Sequence, residues 1–136
     1  ALPLLLGRWG VRNILLIAMV AWTLRYLFLS WGGPMGHEWL YLAVALHGIC
    51  YDFFFVTGSI YTDQLAGDNV KSSAQGLFTI ATYGIGMTVG SYVGGFVAAL
   101  FTHDGVRDWT GMWLVPAGIA GALLIVFLLA FREKKV

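Results

Sequence analysis

Charged residues are scarce in this sequence: they make up 11% of its 136 residues, whereas hydrophobic residues make up 59%. A soluble domain carries about 25% charged residues, so this chain lacks the polar surface that keeps a globular protein in solution. The few basic residues lie in short loops and at the C-terminus rather than on one face, so we expect no nucleic-acid partner. Composition therefore predicts an integral membrane protein that contacts the lipid bilayer.

Cysteine is represented by Cys50 alone, which excludes a disulfide within the chain. A single cysteine also gives no metal-site spacing, and we expect neither a metal nor any other cofactor. We expect no signal peptide, since Ala1 is not an initiator methionine and residues 1–6 are typical of the end of a span cut short. We therefore expect the sequence to begin in the middle of a larger protein, truncated at its N-terminus.

Long apolar runs, separated by short polar stretches, predict four full membrane spans. About 20 apolar residues are needed to cross a bilayer. The predicted spans cover residues 14–31, 39–61, 73–101 and 109–131. A compact basic loop at 7–13 precedes the first span, Asn13 is a candidate cap for its start, and Gly32-Gly33-Pro34 ends it. No strand pattern alternates along the chain, so the predicted fold class is an all-α polytopic membrane protein.

The basic residues predict the orientation of these spans. If the 7–13 loop is cytoplasmic, the inner side holds Arg8, Arg12, Lys71, Arg132, Lys134 and Lys135. The outer loops hold Arg107, and Arg25 lies within a span, near its outer end, where we expect it to extend to the interface. This asymmetry follows the positive-inside rule and predicts a cytoplasmic C-terminus at the cell inner membrane.

Asp52 stands in the middle of a long apolar run. An ionised carboxylate in hydrocarbon costs several kcal/mol, so it must face the interior of a bundle or a water-filled cavity. On a helical wheel of about 100° per residue, one polar arc contains His47, Tyr51, Asp52, Ser59, Thr62 and Asp63. Thr57 is an exception, and we expect its hydroxyl to bond back to its own helix.

This arc suits a small polar solute with a flat ring, because Tyr51 offers stacking and the polar groups offer directed hydrogen bonds. We predict substrate binding by His47, Tyr51 and Asp52, with Asp52 also taking up and releasing the proton. Two alternatives stay open. Asp52 is a structural acid if it pairs with Arg25 or with a helix outside this sequence, and His47 is structural if it donates to a backbone carbonyl.

Two further groups have predicted structural roles. Asp63, Asp68 and Lys71 follow the second predicted span, and we expect gate or loop salt bridges there. Gly86, Gly90 and Gly94 recur at every fourth position of the third span, a ridge that Ala98 extends. Such ridges allow close helix packing in lipid, and they also suit helices that slide during a conformational cycle.

An enzymatic function is not expected. Tyr51-Asp52 is similar to half of an intramembrane aspartyl protease site, but that chemistry needs two facing aspartates, the second usually in Gly-x-Gly-Asp. The sequence contains no Gly-x-Gly-Asp, and Gly67-Asp68 lies in a polar loop.

Several segments resemble the C-terminal part of bacterial nucleoside permeases, the nucleoside:proton symporters of the major facilitator superfamily. These segments are Tyr51-Asp52-Phe53-Phe54 with Gly58-Ser59, Ser73-Ala74-Gln75-Gly76-Leu77-Phe78, Asp108-Trp109 with Trp113-Leu114, the Gly7-Arg8-Trp9-Gly10 loop, and Ala21-Trp22 with Leu24-Arg25. The resemblance implies the end of helix eight and helices nine to twelve of a twelve-helix carrier. It also implies that Tyr51 and Asp52 are the cavity aromatic and the essential aspartate, whereas His47 replaces a tyrosine.

The function that this resemblance implies is nucleoside transport by proton symport with alternating access. The transported ligands would be a nucleoside and a proton, and helices outside this sequence would complete the site. Two alternatives differ in class or substrate: a major facilitator carrier for another polar solute such as a sugar, and a non-transporting membrane subunit.

Overall fold

A computed structural model describes the backbone of residues 2–131 and the side chains of residues 6–131. Helices dominate this part of the chain. The α-helices are α1 Leu2–Trp31, α2 Glu38–Tyr51, α3 Thr57–Leu65, α4 Lys71–Thr79, α5 Met87–Leu100 and α6 Trp109–Ala130. Two π-helical segments, Asp52–Val56 and Ile80–Gly86, join α2 to α3 and α4 to α5. The predicted basic cluster at Arg132, Lys134 and Lys135 lies outside the described residues.

Four of the resulting helices are long and apolar enough to cross a membrane. They are the first span Leu6–Trp31, the second span Glu38–Leu65, the third span Lys71–Leu100 and the fourth span Trp109–Ala130. The all-α class predicted from composition and hydropathy is confirmed. The second span continues past its predicted end at residue 61, so Thr62 and Asp63 are helical rather than part of a loop.

The first helix passes through the stretch that the sequence predicts as a loop. Its break is confined to Gly10, which has φ 74° and ψ 162°, a conformation that side chains disfavour. The loop prediction for residues 7–13 is therefore wrong, because one glycine supplies the whole kink. The predicted capping role of Asn13 is also wrong: its side-chain amide donates to the Trp9 carbonyl oxygen at 2.9 Å within the helix.

The first span forms the centre of the bundle and packs mainly against α6 and α2. Its fully or nearly fully buried side chains are mostly small or aliphatic, including Ile14, Ala18 and Ala21. Small residues allow close approach of helix backbones, which supplies packing contacts that lipid does not favour by itself. The first span is thus a rigid support for the second and the fourth.

Polar contacts fasten the first span to the fourth at both ends. Ser30 Oγ donates to the Thr110 carbonyl oxygen, and Thr110 Oγ1 donates to the Ser30 carbonyl oxygen, both at 3.2 Å. At the other end, Arg12 donates to the carbonyl oxygens of Leu128 and Phe131, each at 3.3 Å. A guanidinium there satisfies carbonyls that a helix end leaves without an intrahelical partner.

A short hairpin connects the third and fourth spans. Strand β1, Thr102–His103, pairs antiparallel with β2, Val106–Arg107, through Thr102–Arg107 and His103–Val106. The chain then turns into the fourth span at Asp108, whose Oδ1 accepts from the Gly111 N–H at 3.1 Å and caps the helix.

Candidate functional site

Asp52 lies near the middle of the second span, at the first residue of the π-helical segment Asp52–Val56. Its side chain is exposed on the open face of the bundle. Within residues 6–131, it takes part in no hydrogen bond or ion pair, so pairing with Arg25 is not found there. An acid at this depth must face protein or water rather than lipid. Its position therefore leaves the carboxylate available to a ligand or to a group outside the described residues.

Arg25 does not extend to the membrane interface as the sequence predicts. Its guanidinium lies beside the thiol of Cys50 and 5.7 Å from the centroid of the Tyr26 ring. Cys50 is fully buried and sits near the middle of the second span. The interfacial prediction is wrong because the first and second spans pack tightly enough for the Arg25 side chain to lie along their contact.

The rings beside Asp52 form a continuous cluster. The centroid of the Tyr51 ring lies 5.9 Å from that of His47 and 4.8 Å from that of Phe55. The imidazole of His47 is exposed, while Tyr51 and Phe55 are half-buried. This arrangement brings His47, Tyr51 and Asp52 together on neighbouring turns, with the exposed imidazole at the edge of the cluster.

Trp22 of the first span packs against Phe54 and Phe55, next to this cluster. Its ring centroid lies 4.9 Å from Phe54 and 5.9 Å from Phe55, the latter pair edge to face. Aromatic pairs at these separations contribute about 0.5–1.5 kcal/mol beyond the burial of their area. Packing against the rigid first span therefore restrains the segment that carries Asp52.

Tyr83 of the third span completes the cluster. Its hydroxyl is hydrogen-bonded to the hydroxyl of Tyr51, and its ring centroid lies 5.4 Å from that of Phe55 at an interplanar angle of 30°. Tyr83 lies within the second π-helical segment, Ile80–Gly86, just as Asp52 begins the first. Residues from two spans thus meet at the level of Tyr51, the residue that precedes Asp52.

A second link joins the same two spans nearer the connection between them. Ser59 Oγ donates to Gln75 Oε1 at 2.9 Å, and Gln75 Nε2 donates to the Ser59 carbonyl oxygen at 2.8 Å. Gly58 allows this approach, because a Cβ there would lie 3.0 Å from the Phe78 ring. The second and third spans are therefore fastened by Tyr51–Tyr83 at one level and by Ser59–Gln75 at another.

The π-helical segment Asp52–Val56 explains why Tyr51 and Ser59 both face the third span. Tyr51 and Ser59 are eight residues apart, which on a continuous α-helix would place them about 80° apart. An inserted π turn rotates the following residues back by about 100° and brings the two onto one face. The predicted wheel assumed a uniform helical period, so the π turn shifts its angles beyond Asp52, but its placement of Tyr51 and Ser59 on one arc agrees with their shared contact with the third span.

The predicted inner salt bridges are found in part. Lys71 Nζ, at the start of α4, lies 3.0 Å from Oδ1 of Asp68 in the preceding turn, with the Asp68 side chain 94% exposed. Exposed pairs of this kind contribute about 0–1 kcal/mol. Asp63 lies in α3 and makes no ion pair with the rest of residues 6–131.

The glycine ridge of the third span faces a groove rather than another helix. Gly86, Gly90, Gly94 and Ala98 line a cavity of about 890 Å³ together with Trp22 and Trp113 of the first and fourth spans. A Cβ at Gly90 or Gly94 would meet no described atom within 4 Å. The groove is mostly apolar, and its lining does not include His47, Tyr51 or Asp52, so it is separate from the acid's surface.

Tyr83 and Gln75 are not among the site residues predicted from the sequence. Each is a hydrogen-bonding side chain on a helix made largely of apolar or small residues, and this contrast is the feature from which their role could have been predicted. Their partners on the second span could not be found, because the π turns change which residues face each other. Among residues 6–131, no group of three or more metal-ligating side chains is close enough to hold an ion.

Comparison with known proteins covers the whole chain. Residues 1–136 match the sequence model of a family described as Nucleoside H+ symporter. Xanthosine permease of Escherichia coli (strain K12) is 39% identical over 133 residues, which are 96% of this chain and 32% of that permease. Nucleoside permease NupG of the same strain is 34% identical over 137 residues, 99% of this chain and 33% of that permease.

A solved structure supports the same comparison. The crystal structure of a mutant of nucleoside transporter NupG matches with a TM-score of 0.90 and 33% sequence identity, over 96% of this chain and 33% of that one. The chain therefore spans about a third of the length of the relatives that it matches.

Proposed function

Because the chain belongs to the nucleoside H+ symporter family, we propose that it forms part of a carrier that moves nucleosides across a membrane together with protons. The observation that carries this proposal is the carboxylate of Asp52. It lies at mid-span, next in sequence to Tyr51, and has no ion-pair partner among residues 6–131. An acid in that position can take up a proton on one side of the membrane and release it on the other.

The nucleoside is held by the groups around this acid. The Tyr51 ring stacks on the flat base, and the exposed His47 supplies a hydrogen bond at the edge of the cluster. Asp52 contributes both a hydrogen bond and the proton site. No covalent bond is made or broken in the solute, so the chain acts as a carrier rather than as an enzyme.

Transport follows from alternating exposure of this central site. Asp52 is protonated from outside, the nucleoside binds, and the two halves of the carrier rock around the site. Coupling requires that the proton and the nucleoside each favour the occluded state. Asp68 lies in the connection between the second and third spans and Lys71 begins the third span, where their ion pair is placed to act at a gate together with Asp63.

The carrier lies in the cell inner membrane with its C-terminus in the cytoplasm. Arg8, Arg12 and Lys71 are at the same side of the bundle, because the first and second spans cross in opposite directions. That side carries the excess positive charge expected of a cytoplasmic face.

Other helices of the same carrier complete the structure. The chain spans about a third of its relatives, and the glycine ridge at Gly86, Gly90 and Gly94 lines an open groove. A further membrane helix packed there would bring the ridge into the close contact that small residues permit. The same missing helices supply the remaining substrate ligands.

Uptake of labelled uridine tests the proposal. The complete reading frame that encodes this chain is expressed in cells lacking their own nucleoside carriers, with and without a protonophore. We expect saturable uptake that the protonophore abolishes, and we expect Asp52→Asn to abolish proton-coupled accumulation. Asp104→Asn is the matched control, since Asp104 is an exposed acid in the outer hairpin turn.

Two outcomes contradict the proposal. Wild-type rates of proton-independent uptake in the Asp52→Asn carrier would exclude the coupling role of this acid. A well-expressed wild-type carrier that takes up no uridine, with uptake of another solute competed by unlabelled sugars, would instead indicate a sugar carrier of the same fold.

A further inference from the structure

We propose that Tyr83 is a positioning residue: its hydroxyl holds that of Tyr51, so that the Tyr51 ring is already oriented for stacking before the nucleoside arrives. This inference rests on the proposed transport function. It adds a residue of the third span to a site otherwise built on the second. Its basis in the structure is a hydrogen bond, two ring contacts and two π-helical segments that meet at the same depth.

Tyr51 is restrained at both ends of its side chain. Its ring packs against Phe55 with centroids 4.8 Å apart, and its hydroxyl is bonded to Tyr83. Phe55 also contacts the Tyr83 ring at 5.4 Å, so the three side chains brace one another. A phenol restrained in this way keeps one ring orientation, and its face is the part presented to a flat ligand.

Prior restraint of a binding group raises affinity, because the cost of ordering it is not incurred when the ligand binds. Without the Tyr83 hydroxyl, Tyr51 would gain rotational freedom while keeping its place on the helix. The expected consequence is weaker nucleoside binding with little change in the rate of the transport cycle. One neutral hydrogen bond corresponds to about fivefold in an equilibrium constant.

The hydroxyl link is not required to hold the two spans together. Ser59 and Gln75 join the same spans through two hydrogen bonds of 2.8 and 2.9 Å. The ring contact between Tyr83 and Phe55 would also survive loss of the hydroxyl. Replacement of either tyrosine by phenylalanine therefore tests positioning rather than folding.

The experiment measures uridine uptake kinetics in the complete carrier for Tyr83→Phe, Tyr51→Phe and the double variant. We expect each single change to raise KM about fivefold, with Vmax and the thermal midpoint of the purified protein close to wild type. The double variant should be no worse than either single one, because both remove the same bond. Tyr92→Phe is the control, since Tyr92 is on the same span and 79% exposed.

Three results would overturn the inference. An unchanged KM in Tyr83→Phe excludes a positioning role, and effects of the two single variants that multiply in the double variant show that the hydroxyls act independently. A lowered thermal midpoint with an unchanged KM shows a purely structural link. A wild-type carrier that takes up no nucleoside would instead overturn the proposed function, so the two failures are distinguishable.

Discussion

Thr57 offers a sharp test of the packing between the first and second spans. Its side chain is fully buried, and its Oγ1 has no hydrogen-bond partner among residues 6–131. In a continuous α-helix, this hydroxyl would donate to the carbonyl oxygen of Phe53, as the sequence predicts. That prediction is wrong, because Phe53 lies in the π-helical segment, where the widened turn displaces its carbonyl. We therefore predict that Thr57→Val stabilises the protein.

The magnitude follows from the cost of the unpaired hydroxyl. Protein mutational data give about 1–3 kcal/mol for burying a polar group without a hydrogen bond. Valine has nearly the shape of threonine, so the substitution leaves no cavity. Part of the cost is also present in the unfolded state within a micelle, where polar groups find other partners. We expect the free energy of unfolding to rise by about 1 kcal/mol.

The assay is an SDS titration of the carrier purified in detergent, followed by circular dichroism. Thr62→Val is the matched control on the same span, because Thr62 Oγ1 donates to the Gly58 carbonyl oxygen at 2.8 Å. The control variant loses a satisfied hydrogen bond and should show no gain in stability. The comparison between the two variants isolates the effect of the missing bond at Thr57.

A loss of stability in Thr57→Val comparable with that in Thr62→Val would refute the reasoning. It would mean that the Thr57 hydroxyl is satisfied in the membrane, by a bound water or by a carbonyl that the π turn leaves accessible. An equal and small effect in both variants would refute it as well, since the unpaired hydroxyl would then carry no cost.

Two further predictions concern the second and third spans. Gln75→Leu removes both hydrogen bonds to Ser59 and should lower the free energy of unfolding in SDS by about 1–2 kcal/mol, whereas Gln64→Leu, at an exposed position, should not. An unchanged value in Gln75→Leu would show that the link is dispensable. His47→Tyr enlarges the ring beside Tyr51 and should change the KM ratio of purine to pyrimidine nucleosides by about threefold, while His103→Tyr in the hairpin leaves it unchanged. A constant ratio would place His47 outside the substrate surface.

The sequence was sufficient to predict the fold class and the family resemblance. Hydropathy alone indicated four spans, because long apolar runs and short polar breaks have few other interpretations. The family match over residues 1–136 and the structural match confirm the resemblance stated from Tyr51-Asp52-Phe53-Phe54 and the other segments. The roles of His47, Tyr51 and Asp52 stay predictions, although the structure places all three on neighbouring turns.

The features that the sequence did not predict depend on local departures from ideal geometry. A uniform wheel cannot represent the π turn after Tyr51, so the partners Tyr83 and Gln75 were not identified. The position of Arg25 beside Cys50 depends on how closely two helices pack, which hydropathy does not determine. The kink at Gly10 shows a related limit, because a basic stretch with two glycines is equally typical of a loop.

The paired π-helical segments have a consequence for how this sequence can change in length. Tyr51 and Ser59 are separated by the same number of residues as Gln75 and Tyr83, and each interval includes residues of a π turn. Deleting one residue from either interval would convert its π turn into regular α-helix, and seven α-helical residues return to within about 20° of the starting direction. Both links would then still face their partners. Either interval can therefore lose one residue without a matching change in the other.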